Sequence, residues 1–327
     1  MRGVPSYGVP SSSVPSAGSL LRHPLLARLT DFAAQDVIPR AQRAYGAAME
    51  GVEDATVRVL GDDFDARIEQ LRARYQRMGG DPFGLDPETA KLALGIVSIF
   101  HRVYFRAEVH GVENVPSGKV LLVANHSGQV PIDGMIIGAS MFLDGEPPRV
   151  IRAMVEKWVQ TLPYVNVLFR SLGQVVGVPE NCRRLLELGE VILVFPEGTR
   201  GISKPFSQRY QLQDFGLGFM RLAIETDTPI VPVAVVGAEE QYVNLGNFKL
   251  LARAMGMPVA PVVPQWFIPG LQMPLPTKYR LYFGEPMRFS GDPDDDDSVM
   301  EEKVYLVRQT IQALIDRGLR ERPSVFW

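Results

Sequence analysis

From residue 118 onward, short apolar runs alternate with helix-like segments, and this rhythm constrains the chain more than any other feature. Runs such as "VLLVA" (120–124), "VILVF" (191–195) and "IVPVAVV" (230–236) hold no polar side chain. As strands they would bury both faces, which a parallel sheet covered by helices provides. The pattern predicts strands at 119–124, 148–153, 172–177, 190–195, 230–236 and 278–283. It predicts helices at 133–143, 154–161, 181–188, 213–226 and 297–317. The expected fold class is therefore α/β, a largely parallel sheet flanked by helices and preceded by an N-terminal helical segment. In such a sheet the functional crevice lies beyond the carboxyl ends of the strands.

The regions outside this core read differently. Residues 1–19 repeat Val-Pro-Ser at positions 4, 9 and 14 among Gly and Ser, a composition that cannot pack a core and predicts a disordered leader. Residues 20–85 read as helical. One helix is expected over 20–50 with a break near Pro39, and a second over 63–78, with Asp62, Asp63 and Asp65 at its start and Arg72, Arg74 and Arg77 at its end. Residues 86–327 form the main domain. "DPETAKLALGIVSIFHRVYFR" opens it with a helix over 87–105 whose Leu92, Ile96, Ile99, Phe100 and Val103 share one face. That face could pack on the core or rest in a lipid interface, with Lys91, Arg102 and Arg106 at its flanks. The Pro-rich apolar insertion 241–277 predicts a fixed shape, either a cover over the core or a surface for lipid. The acidic run "DPDDDDSVM" (292–300) lacks the alternating spacing of a calcium loop and reads as a solvated cap for the helix at 297–317.

Charge and composition narrow the function. A net charge of −3 and a pI near 5.9 exclude a general nucleic-acid binder. Cys182 is the only cysteine, so an internal disulfide or a cysteine metal cage is ruled out. The N-terminus lacks the apolar core of an export signal. No window reaches the roughly 18 uncharged apolar residues of a spanning helix, since His101 and Arg102 interrupt the best candidate, 92–105. The expectation is a protein that lies on a membrane rather than crossing one.

Two strand ends carry the chemistry. In "VLLVANHSGQVPIDGMIIG" (120–138), His126 follows a buried strand directly, where a loop can present it to a crevice. A neutral imidazole accepts a proton at physiological pH, and a carboxylate on its other nitrogen fixes the tautomer. Asp133 is the nearest candidate, with a second reading as N-cap of the following helix. No Gly-x-Ser-x-Gly elbow accompanies the histidine, so a base that activates a substrate hydroxyl is the economical reading. The second strand end, "VILVFPEGTRG" (191–201), puts Glu197, Gly198, Thr199 and Arg200 on a loop. Its glycines allow close backbone approach, Arg200 offers a planar fork for phosphate and Lys204 a further point charge. Alternatively, Glu197 and Arg200 pair with each other and merely hold the turn.

Together "NHSGQVPID", "SLGQVVGVPENCRRLLELGEVILVFPEGTRG" and "PIVPVAVVGAEE" resemble the ordered blocks of the glycerophospholipid acyltransferase family, typified by lysophosphatidic acid acyltransferase, over about residues 100–290. The resemblance implies transfer of a fatty acyl group from acyl-CoA or acyl-carrier protein to a glycerolipid hydroxyl, without metal or cofactor, at the cytoplasmic face of a membrane. It assigns His126 as general base and Asp133 as its orienting partner. Glu197, Gly198, Thr199 and Arg200 would bind the acceptor, with Arg200 facing its phosphate, and "IVPVAVV" would line the acyl side. Lysophosphatidic acid or another lysophospholipid is the acceptor this implies.

The chain departs from the family pattern twice. The usual His-x-x-x-x-Asp spacing would place Pro131 opposite the histidine, so either the loop bulges at Gly128 and Pro131 to return Asp133 or the dyad is weakened. An arginine often found after the "GQVVGVPEN" block is replaced by Pro179, Glu180 and Asn181, with Arg183 and Arg184 slightly later. These departures resemble the branch acting on neutral mono- or diacylglycerol. A non-catalytic lipid-binding protein and a thioester or ester hydrolase are the alternatives from other classes.

Overall fold

A computed structural model describes residues 38–128, 130–155, 165–254 and 260–327. The predicted leader 1–19, the first part of the predicted helix 20–50 and most of the predicted helix 154–161 lie outside the described residues. The chain divides into two compact units, residues 1–54 and 55–327. The described part of the first belongs to helix α1 (Ile38–Leu60). Pro39 lies in the first turn of the described part of this helix, where a proline forfeits no helical hydrogen bond, and the residues before it, on the far side of the predicted break, lie outside the described residues.

In the second unit the chain runs through α2 (Asp62–Arg77), α3 (Pro87–Ile99) with a π-helical turn at Phe100–Tyr104, β1 (Glu108–His110), β2 (Val120–Ala124), α4 (Ile132–Leu143) and β3 (Ile151–Val155). It continues through α5 (Val165–Ser171), β4 (Val175–Val176), α6 (Pro179–Glu187), β5 (Val191–Val194), α7 (Thr199–Ile202) and α8 (Gly218–Glu225). Then come β6 (Ile230–Val236), α9 (Lys249–Ala254), β7 (Arg280–Phe283) and α10 (Asp297–Glu321). The seven strands form one sheet in the order β1-β7-β6-β2-β5-β3-β4. All neighbours are parallel except β6 and β7. Every residue of β2 and β6 is buried, as their continuous apolar runs require. β6 therefore belongs to the core and does not line the cleft described below.

The departures from the predicted elements have physical causes. β3 runs through Val155, so the predicted helix at 154–161 does not begin at Met154. Helix α8 starts at Gly218 and not at 213, because the amides of Gln213 and Gly216 bond to Glu197 and to the carbonyl of Pro196. The predicted apolar face of α3 is not its buried one. The helix turns Ala90, Gly95 and Ser98 inward, followed by His101 in the π turn, whose Nε2 lies 2.9 Å from Ser140 Oγ on α4. Small side chains suit close helix contact, and Ile96 and Val103 are left exposed. The acidic run leads into α10 but does not cap it through a side chain: Asp296 at the cap position makes no such bond, while Arg221 bonds the carbonyls of Pro293 and Asp295 and pairs with Asp297 in the first turn.

A buried ionic cluster fixes α2 to the amino-terminal side of the sheet. Arg152 on β3 pairs with Asp81, and its Nε lies 3.5 Å from Glu190, which immediately precedes β5. Arg74 of α2 reaches the same Glu190 at 3.2 Å, and the Arg152 guanidinium sits 5.7 Å from the centre of the Tyr75 ring. Arg152→Ala takes from the buried Asp81 its cationic partner and leaves Glu190 with Arg74 alone, and removing one partner of a buried pair costs about 3–5 kcal/mol. Urea denaturation of the variant should show a loss of that size, and a loss below about 1 kcal/mol would mean that the cluster behaves like a surface pair.

Candidate active site

Strands β2 and β5 are parallel neighbours with Val123 opposite Val194, so the two polar turns leave the sheet side by side. Asn125 extends the ladder past the end of β2: its side chain accepts from Val235 N at 2.7 Å and donates to Val235 O at 3.1 Å. His126 comes next, its ring stacked on Phe195 at 4.0 Å between centroids and 15° between planes. Its Nδ1 lies 2.8 Å from Asp133 Oδ2. The lengthened spacing is absorbed as a bulge. Gly128 takes φ +75°, and a Cβ there would lie 2.1 Å from Gln241 Nε2. Pro131 then leads into α4, which carries Asp133 in its first turn and not at the cap. The carboxylate also accepts from Ser127 N at 2.9 Å and Gly134 N at 2.8 Å. With Asp133 accepting at Nδ1, the imidazole proton resides there and the lone pair is on Nε2.

Glu197 holds the second turn to the first. Its buried carboxylate accepts the backbone N–H of His126 at 2.9 Å and that of Gln213 at 2.7 Å. Gly201 makes the approach possible, since a Cβ there would sit 2.9 Å from both the Cβ and the carbonyl oxygen of His126. Glu197 and Arg200 do not pair. Arg200 is exposed and donates to Asp214 O at 3.0 Å, whereas Glu197 lies 3.6 Å from Lys204 Nζ. Lys204 is not the open point charge expected of it. It is buried and committed to Glu239 at 3.0 Å, Glu197 and the carbonyl of Gln211. Burial pushes the Glu239 carboxyl up to about 7 against the pull of that ammonium. Glu197 likewise faces inward, as a brace rather than a ligand.

A cleft of about 1110 Å³ opens beside the histidine. Its lining includes His126, Gly198 and Thr199 from the turns, Met154, Phe219 and Leu222 as apolar wall, and Arg183, Arg221, Glu225 and Asp294 as charged groups. The His126 side chain is 13% exposed, and Nε2 is the ring nitrogen not engaged by Asp133. Arg183 pairs with Glu225 at 2.7 Å and Arg221 with Asp297 at 2.7 Å. Cys182 also lines the cleft, but burial raises its thiol pKa, which opposes a nucleophilic thiolate. Arg200 and Lys204 do not line it. Among the described residues no three His, Cys, Asp or Glu side chains are grouped as metal ligands.

A family model described as Acyltransferase matches residues 106–236, a span that contains both turns and the strands that deliver them. An uncharacterized protein of Mycobacterium tuberculosis is 37% identical over 302 residues, covering 89% of this chain and 83% of its own. The chain belongs to the acyltransferase family. A mouse protein named "DGAT1/2-independent enzyme synthesizing storage lipids" is 27% identical over 221 residues, 67% of this chain and 61% of that protein. The crystal structure of 1-acyl-sn-glycerophosphate (LPA) acyltransferase, PlsC, from Thermotoga maritima aligns with a TM-score of 0.46 at 23% identity, over 72% of this chain and 83% of that one. The family match makes this chain an acyl-transferring enzyme.

Sequence reasoning missed three contributors to the acyltransferase site: Phe195 as the platform for the imidazole, Gln213 as the second amide on Glu197, and Glu239 as the partner of Lys204. Only Phe195 left a signal, as the last apolar residue of the strand leading into the loop. Glu197→Gln places an amide nitrogen against one of the two N–H groups that the carboxylate now accepts. The acyltransferase variant should keep its melting temperature within a few degrees and lose about 100-fold in turnover, the order expected for ångström-scale misplacement of a reacting group. Steady-state kinetics beside thermal melts checks this, and unchanged turnover would mean that the brace does not position His126.

Proposed function

We propose that this acyltransferase moves a fatty acyl group from acyl-CoA or acyl-carrier protein to the hydroxyl of a glycerolipid, with His126 as general base and Asp133 as its positioning partner. The observation carrying this reading is the His126–Asp133 contact of 2.8 Å at the wall of a cleft large enough for lipid substrates. The acceptor hydroxyl gives its proton to Nε2 as its oxygen attacks the thioester carbonyl. Backbone N–H groups of the loop stabilise the resulting oxyanion. Collapse of the tetrahedral intermediate breaks the C–S bond, and the leaving thiolate takes the proton back from the imidazolium. No covalent acyl-enzyme is formed.

The acceptor in this reading is lysophosphatidic acid or another lysophospholipid. Support comes from Arg200, one residue beyond the cleft-lining Thr199, with an exposed guanidinium bonded to a single backbone carbonyl. A second reading, a neutral mono- or diacylglycerol acceptor, draws on a different observation. Both arginines that line the cleft are already paired with carboxylates, and Asp294 adds negative charge to its wall. The storage-lipid name of the mouse relative points the same way.

The deciding experiment gives purified protein one acyl-CoA with a panel of lysophospholipids, glycerol-3-phosphate and mono- and diacylglycerols, and identifies the products by mass spectrometry. Free fatty acid formed without any lipid acceptor would assign a hydrolase instead. His126→Ala should lower transfer by about 100- to 10,000-fold, the usual contribution of a general base, with the circular dichroism spectrum unchanged. Retained turnover would remove the base from the mechanism. Arg200→Ala should raise KM for a phosphorylated acceptor by about 10- to 100-fold, the worth of a hydrogen bond to a charged group, while sparing KM for the acyl donor. Equal losses for phosphorylated and neutral acceptors would reject phosphate recognition at Arg200.

A further inference from the structure

The described residues of the insertion 241–277 fall into two unlike groups, one buried and one exposed. The first is tied firmly to the domain: Val263, Gln241 and Thr277 are buried, Tyr104 and Arg106 bond the carbonyls of Pro274 and Pro276, and Trp266 meets Tyr242 edge-on at 5.8 Å. The second exposes Leu245, Phe248, Leu250, Phe267, Leu271 and Met273, with Leu250 and Phe267 at 71% and 78%. Backbone bonds join Leu245 to Val262 and Phe248 to Ala260, and the Tyr242 hydroxyl donates to the carbonyl of Gln272. Folding leaves this apolar surface in water although the segment beneath it is fixed, which marks an interaction face.

We propose that this face docks the protein on an anionic phospholipid bilayer. Charge supports that partner over a second copy of the chain. Between Gln241 and Thr277 the sequence supplies Lys249 and Arg253 and no Asp or Glu, in a chain that otherwise has more acidic than basic residues. A two-fold interface would bring the exposed Arg253 of one copy towards that of the other, whereas anionic headgroups complement it beside the inserted apolar side chains. Position supports it too. Asn244 donates to the carbonyls of Ser203 and Lys204 and accepts from Phe206 N, and Gln241 abuts Gly128, so the insertion is seated against both active-site turns. Lipid held at this face lies next to the loop that carries the histidine.

Helix α3, the other amphipathic candidate, is less suited. Its basic flanks are already neutralised, Lys91 by Asp65 and Arg102 by Asp144, and Arg106 is spent on three backbone carbonyls. The inference rests on the glycerolipid reading only for its choice of a bilayer as partner, and its test reads binding rather than turnover.

Full-length protein is sedimented with vesicles of phosphatidylcholine containing phosphatidylglycerol and with vesicles of phosphatidylcholine alone. Wild type should partition onto the anionic vesicles, less onto neutral ones, and less at high salt. The triple variant Phe248→Ser, Leu250→Ser, Phe267→Ser should lose at least about tenfold in partitioning, with an unchanged circular dichroism spectrum, as all three side chains are exposed. The α3 variant Ile96→Ser, Val103→Ser should bind as wild type. The proposal is overturned if the triple variant binds as wild type, if wild type ignores both vesicles, or if the α3 variant loses binding instead. It is also overturned if sedimentation velocity without lipid shows a wild-type dimer that the triple variant dissolves. Products formed from acyl-CoA and a short-chain soluble acceptor are scored separately, so failure of docking and failure of acyl transfer are told apart.

Discussion

The site depends on one clasp: two buried carboxylates from different turns hold a single residue. Asp133 takes the ring of His126 at Nδ1, and Glu197 takes its backbone N–H. Neither carboxylate could remain buried alone, because an unpartnered charge away from water costs several kcal/mol. Each is satisfied by more than the histidine: Asp133 by the amides of Ser127 and Gly134, Glu197 by Gln213 and the Lys204 ammonium. The imidazole is therefore fixed at three places, its ring edge, its face against Phe195 and its main chain. That is the preorganisation a general base requires.

Parallel pairing of β2 with β5 makes the clasp possible, and this much was legible in the sequence. Continuous apolar runs identify central strands of a parallel sheet, and polar residues directly after them belong to the crevice at its carboxyl edge. The seven-residue step from His126 to Asp133 also yielded to local reasoning. Gly128 supplies the positive φ, and Pro131 stops the loop where α4 begins. A glycine and a proline inside a lengthened spacing are physical statements about where the backbone can turn, and the structure uses both.

What was not legible is what depends on side chains distant in sequence. Lys204 and Arg200 read alike as cations near a phosphate-binding loop, yet one is sealed against Glu239 and the other lies open to solvent. Nothing within the loop separates them, because the partner that buries Lys204 sits 35 residues away, just after β6. The same limit governs α3. Periodicity marks its large apolar stripe, but the buried side is the one with Gly95, which faces Phe64 of α2, with Ser98, and with His101, which meets Ser140 of α4. The start of α8 was misplaced for a related reason. Amides that local propensity would assign to a helix are instead claimed by Glu197 and Pro196.

The group beneath the loop carries an imbalance that bears on its behaviour. Glu197 and Glu239 both face one ammonium, Lys204, out of contact with water. Burial, opposed by Lys204 and reinforced by the nearby Glu197 charge, pushes Glu239 up from 4.5 to about 7. A carboxyl whose pKa rises on folding favours the folded state fully below its unfolded value, and that contribution fades as pH climbs through the folded one. For Glu239 the fading occupies the interval from 4.5 to about 7, opposite in sign to the usual salt-bridged carboxylate. Near neutrality Glu239 can carry its proton, which removes the like-charge conflict and leaves the Lys204 ammonium to Glu197. The residue that holds the histidine backbone is in this way backed by the cation beneath the loop, and the buried charge that orders the turn sits away from the cleft where substrate must enter.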